Sequence, residues 1–311
     1  MEDEVEKQDF ITNHFMQLFK AGTVGDTQRL LQAVSPMVTM EMNEALMREF
    51  SPEEVKSALD SIDDLKAPGP DGMPALFYKR FWGTVGDQVT HEVLAVLNGG
   101  EMPESWNDTV IALIPKVKNP KKVTELRPIS LYNVIYKLIS KVLANRLKVF
   151  LPEIISPTQS AFVPGRLISD NILIAYELTH HILNRKKGEK GFAAIKLDMS
   201  KAYDRVEWSF LGQMMEKLGF CQRWIQLIMK CVSTVSYRIK VNGALSESFE
   251  PERGLRQGDP LSPYLFLLCA EGFSALLAKA EEDGLISGVK ICRNAPSISH
   301  LLFADDSLIL I

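Results

Sequence analysis

The sequence predicts an α+β fold, in which helices and strands occupy different stretches of the chain. Three observations support this prediction. Apolar residues recur at helical spacing within residues 1–60 and again across residues 131–151. Short apolar runs typical of strands appear in the last third, at residues 191–197 and 301–304. Residues 235–241 alternate strictly between apolar and polar side chains, as half-buried strands do.

Residues 1–60 are predicted to form an acidic, helical N-terminal extension. Within it, Ser51 is followed by Pro-Glu-Glu, which predicts an N-cap, a proline in the first turn and a helix running to about Leu65. The next segment, KAPGPDG at residues 66–72, is so rich in proline and glycine that it must be a loop. The apolar run at residues 110–114 predicts a strand.

The last third is expected to begin with a strand buried in a sheet, because residues 191–197 are almost continuously apolar. Helical periodicity predicts two helices, over residues 208–218 and 224–232. The Asn-Gly pair at residues 242–243 predicts a hairpin turn. A helix is expected to open at Pro260 and to extend to about Glu282.

The charge of the chain is unevenly distributed. The 311 residues carry 35 Lys and Arg against 39 Asp and Glu, and the net charge of −4 argues against a nucleic-acid-binding protein. However, residues 1–64 hold 14 acidic and 5 basic side chains, whereas residues 116–148 hold nine basic groups and a single glutamate. The basic surface is therefore local, and it is expected to hold a nucleic-acid backbone without reading its sequence.

Composition excludes several other classes of protein. With 46% hydrophobic and 24% charged residues, the chain is neither disordered nor fibrous. The four cysteines form no CxxC pair, so a zinc site or a disulfide framework is not expected. The acidic N-terminus does not resemble a signal peptide. The most apolar stretch, residues 261–280, contains Glu271 and predicts a buried helix rather than a membrane span. We expect an intracellular protein, cytoplasmic or nuclear, without a membrane partner.

Three carboxylates lie at the ends of predicted strands. Asp305 and Asp306 form the tip of a hairpin between two apolar runs, and Asp198 ends an earlier strand. Ionised carboxylates are costly to bury unless they are paired or bind a metal, and hard oxygen ligands suit Mg²⁺. Two such ions form the clamp used by polymerases and nucleases. A polar turn at the hairpin and a helix cap at Asp198 are the alternative interpretations of each feature alone.

Seven short segments add further motifs in a fixed order. They are KAPGPDG at 66–72, IPK at 114–116, RPISL at 127–131, QSAFVPGR at 159–166, KLDMSKAYD at 196–204, RQGDPLSP at 256–263 and FADD at 303–306. With these segments the chain resembles the reverse transcriptases of non-LTR (LINE-type) retrotransposons, a kind abundant in plant genomes. The resemblance implies a right-hand polymerase fold with fingers and palm in residues 61–311. Because the chain ends five residues after Asp306, we expect a domain truncated before the thumb.

The resemblance also implies roles for individual residues. The catalytic triad, holding two Mg²⁺ ions, would be Asp198, Asp305 and Asp306. The residues that contact the incoming nucleotide would be Lys116, Arg127, Tyr203, Gln257 and Gly258. The Tyr203 ring would crowd a 2′-hydroxyl, although a core aromatic is an equal alternative. The template-contacting element would comprise Gln159, Phe162, Gly165 and Arg166.

The first hypothesis is an RNA-directed DNA polymerase that extends a DNA primer on an RNA template with deoxynucleoside triphosphates and Mg²⁺. Two alternatives remain open. A catalytically silent remnant of such an element would bind RNA without incorporating nucleotides. A metal-dependent nuclease would use the same carboxylates, but it would leave Tyr203 and Gln257 without a role.

Overall fold

The computed structural model describes residues 4–23, 25–185 and 191–311, and these contain both helices and sheets. The α-helices, in chain order, are α1 (Glu4–Phe19), α2 (Gln28–Ala33), α3 (Met40–Met47), α4 (Pro52–Asp60), α5 (Ala75–Arg80), α6 (Trp82–Leu97), α7 (Val134–Ile154), α8 (Ile168–Asn184), α9 (Trp208–Leu218), α10 (Gln222–Ser233) and α11 (Ser262–Glu282). The strands are β1 (Asp108–Pro115), β2 (Leu126–Tyr132), β3 (Ala194–Asp198), β4 (Ser236–Val241), β5 (Ala244–Leu245), β6 (His300–Phe303) and β7 (Asp306–Leu310). The mixed architecture confirms the predicted α+β class.

Helix α4 begins as the sequence predicts and ends earlier. The Ser51 hydroxyl accepts the Glu54 backbone N–H at 3.4 Å, and the Glu54 carboxylate accepts the Ser51 N–H at 3.0 Å, which completes a capping box. The helix stops at Asp60 instead of continuing to Leu65. Beyond it, the Asp63 carboxylate accepts the Leu65 N–H at 3.0 Å, a local turn that competes with helix.

Two sheets organise the strands. The first has the order β2-β1-β4-β5, with β1 antiparallel to β2 and parallel to β4. The second has the order β3-β7-β6 and is antiparallel throughout. The β4–β5 hairpin turns at Asn242 and Gly243, whose φ angles of +48° and +91° suit a type I′ turn. This hairpin and the β6–β7 hairpin therefore confirm their predictions.

Two helices begin later than the sequence predicts. Leu131 belongs to β2, which pairs with β1, so the helix expected from that residue begins only at Val134. The sequence pattern did not predict β2 as a strand. Its extended conformation depends on pairing with β1, and a local pattern does not show such a contact. Similarly, α11 begins at Ser262, and the proline in its first turn is Pro263; Pro260 lies in the preceding loop.

The largest core is formed by helices, and a smaller one joins α1 to the first sheet. Helix α7 supplies the largest share of the main core and packs against α4, α6 and α11. In the smaller core, Phe15 and Phe19 of α1 pack against Tyr237 and Ile239 of β4. The Phe19 and Tyr237 rings meet edge to face, with centroids 5.1 Å apart. The acidic N-terminal segment is thus helical as predicted, and α1 rests directly on the sheet.

Helix α11 packs in the main core, as the sequence predicts for residues 261–280. Leu267 and Leu268 are fully buried there, and the Glu271 carboxylate accepts the backbone N–H of Ser156 at 3.0 Å. By length and composition alone, α11 could also cross a membrane. However, 44% of its most apolar window is buried inside the protein, and core helices of soluble proteins pass the same test.

Strand β3 is exposed, which contradicts the prediction of a buried strand. It lies at the edge of the second sheet and pairs with β7, and all five of its residues are exposed. Ile195 and Leu197 each retain 41% of their accessible surface. Helix α8 packs against β6, the strand at the opposite edge of this sheet. An apolar run therefore marked a strand correctly, but it could not show whether another element covers that strand.

Two of the nine basic residues between 116 and 148 are buried, which corrects the expectation that this group as a whole forms a surface for a nucleic-acid backbone. Lys137 is one, and Arg146 is the other. The Arg146 guanidinium pairs with the Glu54 carboxylate at 2.7 Å and donates to main-chain carbonyls within residues 46–49. It also lies 3.6 Å from the centroid of the Phe50 ring. This arginine joins α7 to the α3–α4 connection and is unavailable to nucleic acid.

We predict that Arg146→Ala lowers the free energy of unfolding by an amount near the lower end of roughly 3–5 kcal/mol, because Glu54 and three carbonyls lose their partner. Lys148→Ala on the same helix is the matched control, since Lys148 is exposed and its loss should change stability by less than about 0.5 kcal/mol. Urea unfolding followed by circular dichroism measures both. Equal unfolding midpoints for the two variants would contradict the structural role of Arg146.

Candidate active site

A cleft of about 580 Å³ gathers residues from distant parts of the chain. Six residues that the sequence assigned to catalysis or nucleotide binding line it: Lys116, Arg127, Tyr203, Gln257, Gly258 and Asp305. They come from the β1–β2 hairpin, the turn after β3, the loop before α11 and the β6–β7 turn. The fold, rather than proximity along the chain, brings these six together.

Four cations line this cleft. Lys116 directly follows the end of β1, and Arg127 lies at the start of β2. The Lys116 backbone N–H donates to the Glu125 carbonyl at 2.8 Å, which closes the hairpin. Lys66 and Lys201 join them, although the sequence analysis gave these two no role. A cluster of cations with an arginine fork suits a polyphosphate, because the fork donates two parallel hydrogen bonds.

The loop that carries Lys66 is bound to the first turn of α7. The Lys137 ammonium donates to the Ala67 carbonyl at 2.8 Å, and the Asn133 side chain accepts the Asp71 backbone N–H at 3.2 Å. Gly69 must lack a side chain, because a Cβ there would lie 2.3 Å from the Asn133 backbone nitrogen. The proline- and glycine-rich segment was predicted only as a loop; its contacts show that it places a cation at the cleft.

Tyr203 lies between the hydrophobic core and the carboxylate hairpin. Its ring stacks on Phe266 of α11, with centroids 5.0 Å apart and planes 11° apart. Burial, followed by the negative charge of Asp305, raises the pKa of the Tyr203 phenol. The residue also lines the cleft, so its packing against the core does not remove it from the site. Its ring is packed against the core and its position is fixed beside Asp305.

The loop before α11 is held by contacts to two other segments, the turn after β3 and strand β2. The Gln257 amide donates to the Asp204 carboxylate at 3.1 Å, and the Gln257 carbonyl accepts the Ser130 backbone N–H at 3.3 Å. The Tyr132 hydroxyl donates to the Gly258 carbonyl at 2.9 Å. Gly258 has a φ of +101°, in the region that favours glycine, and nothing lies where its Cβ would be.

Arg256 anchors this loop from within the protein. Its buried guanidinium donates to the Asn107 side chain and to the Cys231 carbonyl at 3.1 Å. It pairs with the Asp259 carboxylate at 3.4 Å and lies 3.9 Å from the centroid of the Tyr136 ring. Arg256 opens the RQGDPLSP motif, and the motif alone implied no role for it. A buried charge needs such partners, so moving the loop away from this position would cost folding free energy.

Asp204 is another cleft residue to which the sequence motifs assigned no role. It is a buried carboxylate at the cleft, next to Tyr203 in the short 3₁₀ turn Tyr203–Arg205. Burial raises its pKa, while the Gln257 amide and the positive charges of Lys201 and Lys116 oppose that rise. Asp204 ends the KLDMSKAYD motif, six residues after the end of β3, but only the fold shows that it orients the Gln257 amide.

The three predicted catalytic carboxylates lie around the β6–β7 turn and the end of β3. Asp198 and Asp306 are register partners, so their Cα atoms are about 4.5–5.5 Å apart and their side chains share a face. Asp305 lines the cleft, and Asp306 pairs with Lys196 at 3.1 Å on the exposed surface. Ala304 completes the turn with a φ of +53°.

The donor chemistry of these carboxylates fits a hard divalent cation such as Mg²⁺. Their arrangement is open: across residues 4–23, 25–185 and 191–311, no three His, Cys, Asp or Glu side chains lie close enough to hold a metal ion. The Lys196 ammonium pairs with the Asp306 carboxylate. Exposed ion pairs of this kind contribute little to stability, so another cation can readily replace the lysine. The residues therefore supply suitable ligands without a closed site.

The four residues of the predicted template element do not line the cleft, and they divide into two kinds. Gln159 is buried, and the Arg166 guanidinium donates to four main-chain carbonyls around the end of α7. By contrast, Phe162 is 49% exposed with a φ of +57°, and Gly165 is exposed with a φ of +79°. Phe162 and Gly165 are exposed, where a nucleic acid could contact them, whereas Arg166 is half-buried and Gln159 is buried.

Residues 114–311 match a family model described as "Reverse transcriptase (RNA-dependent DNA polymerase)". The chain belongs to the reverse transcriptase family. The match covers the cleft residues from Lys116 onward and the whole carboxylate hairpin. It confirms the family that the seven sequence motifs predicted.

Relatives from retrotransposons agree with this assignment. The chain is 31% identical over its full length to the "Transposon TX1 uncharacterized 149 kDa protein" of Xenopus laevis, and spans 23% of that protein. It is 27% identical over 85% of its length to the "Retrovirus-related Pol polyprotein from type-1 retrotransposable element R2" of Popillia japonica, spanning 35% of it. It is 24% identical over 94% of its length to the "Probable RNA-directed DNA polymerase from transposon BS" of Drosophila melanogaster, spanning 34% of it. The chain is a reverse transcriptase domain of the non-LTR type.

We predict that Lys137 makes the stability of this reverse transcriptase domain depend on pH. Burial, followed by repulsion from Lys66, lowers its pKa from 10.5 to about 8. Between those values the unfolded chain binds more protons than the folded one, so the contribution of Lys137 to stability rises with pH across the window. Below about pH 8 that gain is lost.

Lys137→Met should remove this rise. The free energy of unfolding of the variant, minus that of the wild type, should fall as the pH increases from about 7.5 to about 9.5, because only the wild type gains stability from this group. Urea unfolding at several pH values measures the difference, with Lys148→Met as an exposed control on the same helix. Parallel profiles for Lys137→Met and the wild type would contradict the prediction.

Proposed function

We propose that this reverse transcriptase domain extends a DNA primer on an RNA template, using deoxynucleoside triphosphates as substrates. The observation that carries the proposal is the single cleft that combines Arg127 and neighbouring cations with Tyr203, Gln257 and Asp305. Cations suit a triphosphate, an aromatic ring suits a sugar and carboxylates suit the metal ions of nucleotidyl transfer. A nuclease would use the carboxylates and the cations, but it would leave Tyr203 and Gln257 without a role.

In this proposal, the first sheet with its β1–β2 hairpin belongs to the fingers, and the second sheet with its carboxylate hairpin belongs to the palm. Lys116 and Arg127, at the end of the β1–β2 hairpin, bind the triphosphate together with Lys66 and Lys201. The exposed lysines of the intervening loop lie beyond them and attract a nucleic-acid backbone without regard to sequence: Lys118, Lys121 and Lys122.

The nucleotide sugar is placed against Tyr203. Its ring is backed by Phe266 and therefore cannot retreat into the core, so it crowds a 2′-hydroxyl and favours deoxynucleotides. The Gln257 amide is oriented by Asp204, and the exposed Gly258 backbone leaves room for a close approach. These residues bind and orient the substrate, and they also select it.

Asp198, Asp305 and Asp306 are the residues that would hold two Mg²⁺ ions. When bound, the ions activate the primer 3′-hydroxyl and neutralise the charge on the departing pyrophosphate. The β3–β7 pairing keeps Asp198 opposite Asp306, and the turn at Ala304 sets the position of Asp305. The Lys196 ammonium pairs with the Asp306 carboxylate at 3.1 Å.

We predict that the wild-type chain incorporates deoxynucleotides on an RNA template with Mg²⁺, and that Asp305→Asn lowers the rate by at least about 100-fold because a charged ligand is lost. Primer extension measures the rate, and RNA binding by filter retention shows whether the variant keeps its template.

The outcomes separate the competing functions. Equal incorporation by wild type and Asp305→Asn would contradict the proposal. Salt-dependent RNA binding without any incorporation would select the silent RNA-binding remnant instead. RNA cleavage that needs a metal ion and disappears in Asp198→Asn would select the nuclease.

We also predict that Tyr203→Val increases the use of ribonucleotides relative to deoxynucleotides by about tenfold or more, because the ring that crowds the 2′-hydroxyl is removed. Tyr203→Phe keeps the ring, so it should retain the wild-type preference. Single-nucleotide extension with each substrate measures the two values of kcat/KM. An unchanged ratio in Tyr203→Val would show that the ring serves packing on Phe266 alone.

A further inference from the structure

The turn that carries Asp305 is held by a side chain from a distant segment. Gln159 is 1% exposed, and its Oε1 atom accepts the backbone N–H of Ala304 at 3.0 Å. The same oxygen accepts the backbone N–H of Ala161 at 3.0 Å, which fixes the amide to its own segment. Gln159 and Ala304 are 145 residues apart in the chain, and Ala304 directly precedes Asp305.

Main-chain contacts align the same segment with the strand before that turn. Thr158 accepts the Leu302 N–H through its carbonyl at 2.8 Å, and the Ser160 N–H donates to the Leu302 carbonyl at 3.2 Å. Gln159 and Leu302 thus form a parallel bridge. The Asn171 side chain donates to the same carbonyl at 2.9 Å. Residues 158–160 therefore act as a short support for β6 and for the turn that follows it.

The turn needs this support because of its backbone conformation. Ala304 has a φ of +53°, in the left-handed region that residues with a Cβ rarely adopt. Asp305 is the next residue, so a change in the Ala304 dihedral angles would swing the Asp305 carboxylate away from the cleft. A hydrogen bond to the Ala304 N–H stabilises the conformation that keeps Asp305 there.

We infer that Gln159 is a positioning residue for Asp305. The inference rests on the proposed function, since it assigns Gln159 a part in placing the carboxylate that acts in the cleft. The Gln159 Nε2 atom has no partner among the described residues, so the two acceptor bonds alone set the orientation of the amide. The Arg166 guanidinium donates to the Gln159 carbonyl at 2.7 Å and holds the segment in place. Both residues therefore act internally, whereas the sequence motif implied contact with the template.

The first test does not depend on polymerase activity. In the 311-residue chain, Gln159→Met keeps the length of the side chain but removes the acceptor, so the Ala304 amide proton should exchange with solvent about tenfold faster or more. Hydrogen exchange of peptides covering residues 300–310 measures this. The matched control is Ser160→Ala, because Ser160 is also buried and its hydroxyl has no partner in the described part of the chain. Exchange that is unchanged in Gln159→Met would overturn the inference.

The second test separates positioning from template contact. Gln159→Met should lower kcat for primer extension by about 10- to 100-fold, as expected for a displaced catalytic group, with the RNA dissociation constant and the KM for template unchanged. Ser160→Ala should match the wild type in all three values. A higher template KM or weaker RNA binding at unchanged kcat would overturn the inference and support direct template contact.

The two tests also separate this inference from the proposed function. If the wild-type chain incorporates no nucleotides, the proposed function fails, while faster exchange at the Ala304 amide in Gln159→Met would still support positioning of the turn. If the wild type is active and Gln159→Met keeps both its kcat and its slow exchange, the inference fails and the function stands.

Discussion

The buried guanidinium of Arg256 is the contact on which the candidate site depends. It joins the start of β1, the end of α10 and the loop before α11, through Asn107, Cys231 and Asp259. Since a charge that leaves water must be compensated, these contacts cannot be exchanged one at a time without a large cost. Gln257 follows directly in the chain, so its place at the cleft is a consequence of where Arg256 is held. The loop that brings Gln257 to the cleft is therefore held by a residue that does not itself line the cleft.

The basic residues of the chain serve two different purposes. Lys116 and Arg127 lie at the cleft and remain exposed, which leaves their charge available to a phosphate. Lys137 and Arg146 belong to the same stretch of sequence but are buried in α7, where each binds backbone carbonyls of a neighbouring segment. The net charge of the chain says little about either purpose. Of the two buried cations, Lys137 holds the loop that places Lys66 at the cleft, and Arg146 holds the α3–α4 connection.

The parts of the fold that could be predicted are those set by local chemistry. The Ser51 capping box, the Asn-Gly turn at residues 242–243 and the acidic tip of the last hairpin each depend on a few adjacent residues. The family motifs similarly identified six residues that share the cleft. By contrast, the exposure of β3, the pairing of β2 and the contact between Gln159 and the β6–β7 turn depend on segments far apart in the chain. No local pattern encodes such contacts, so the sequence could suggest that Gln159 matters but not what it touches.

The exposed edge of the second sheet has a consequence for how this domain behaves in concentrated solution. One side of β3 presents N–H and C=O groups that β7 does not pair, beside the apolar side chains of Ile195 and Leu197. Such an edge is a template for intermolecular strand pairing and aggregation, and charged residues on the edge oppose it. Lys196 and Asp198 are the charges that β3 carries. The charge of Asp198 at the end of this strand, together with that of Lys196, therefore also helps to keep copies of the chain apart.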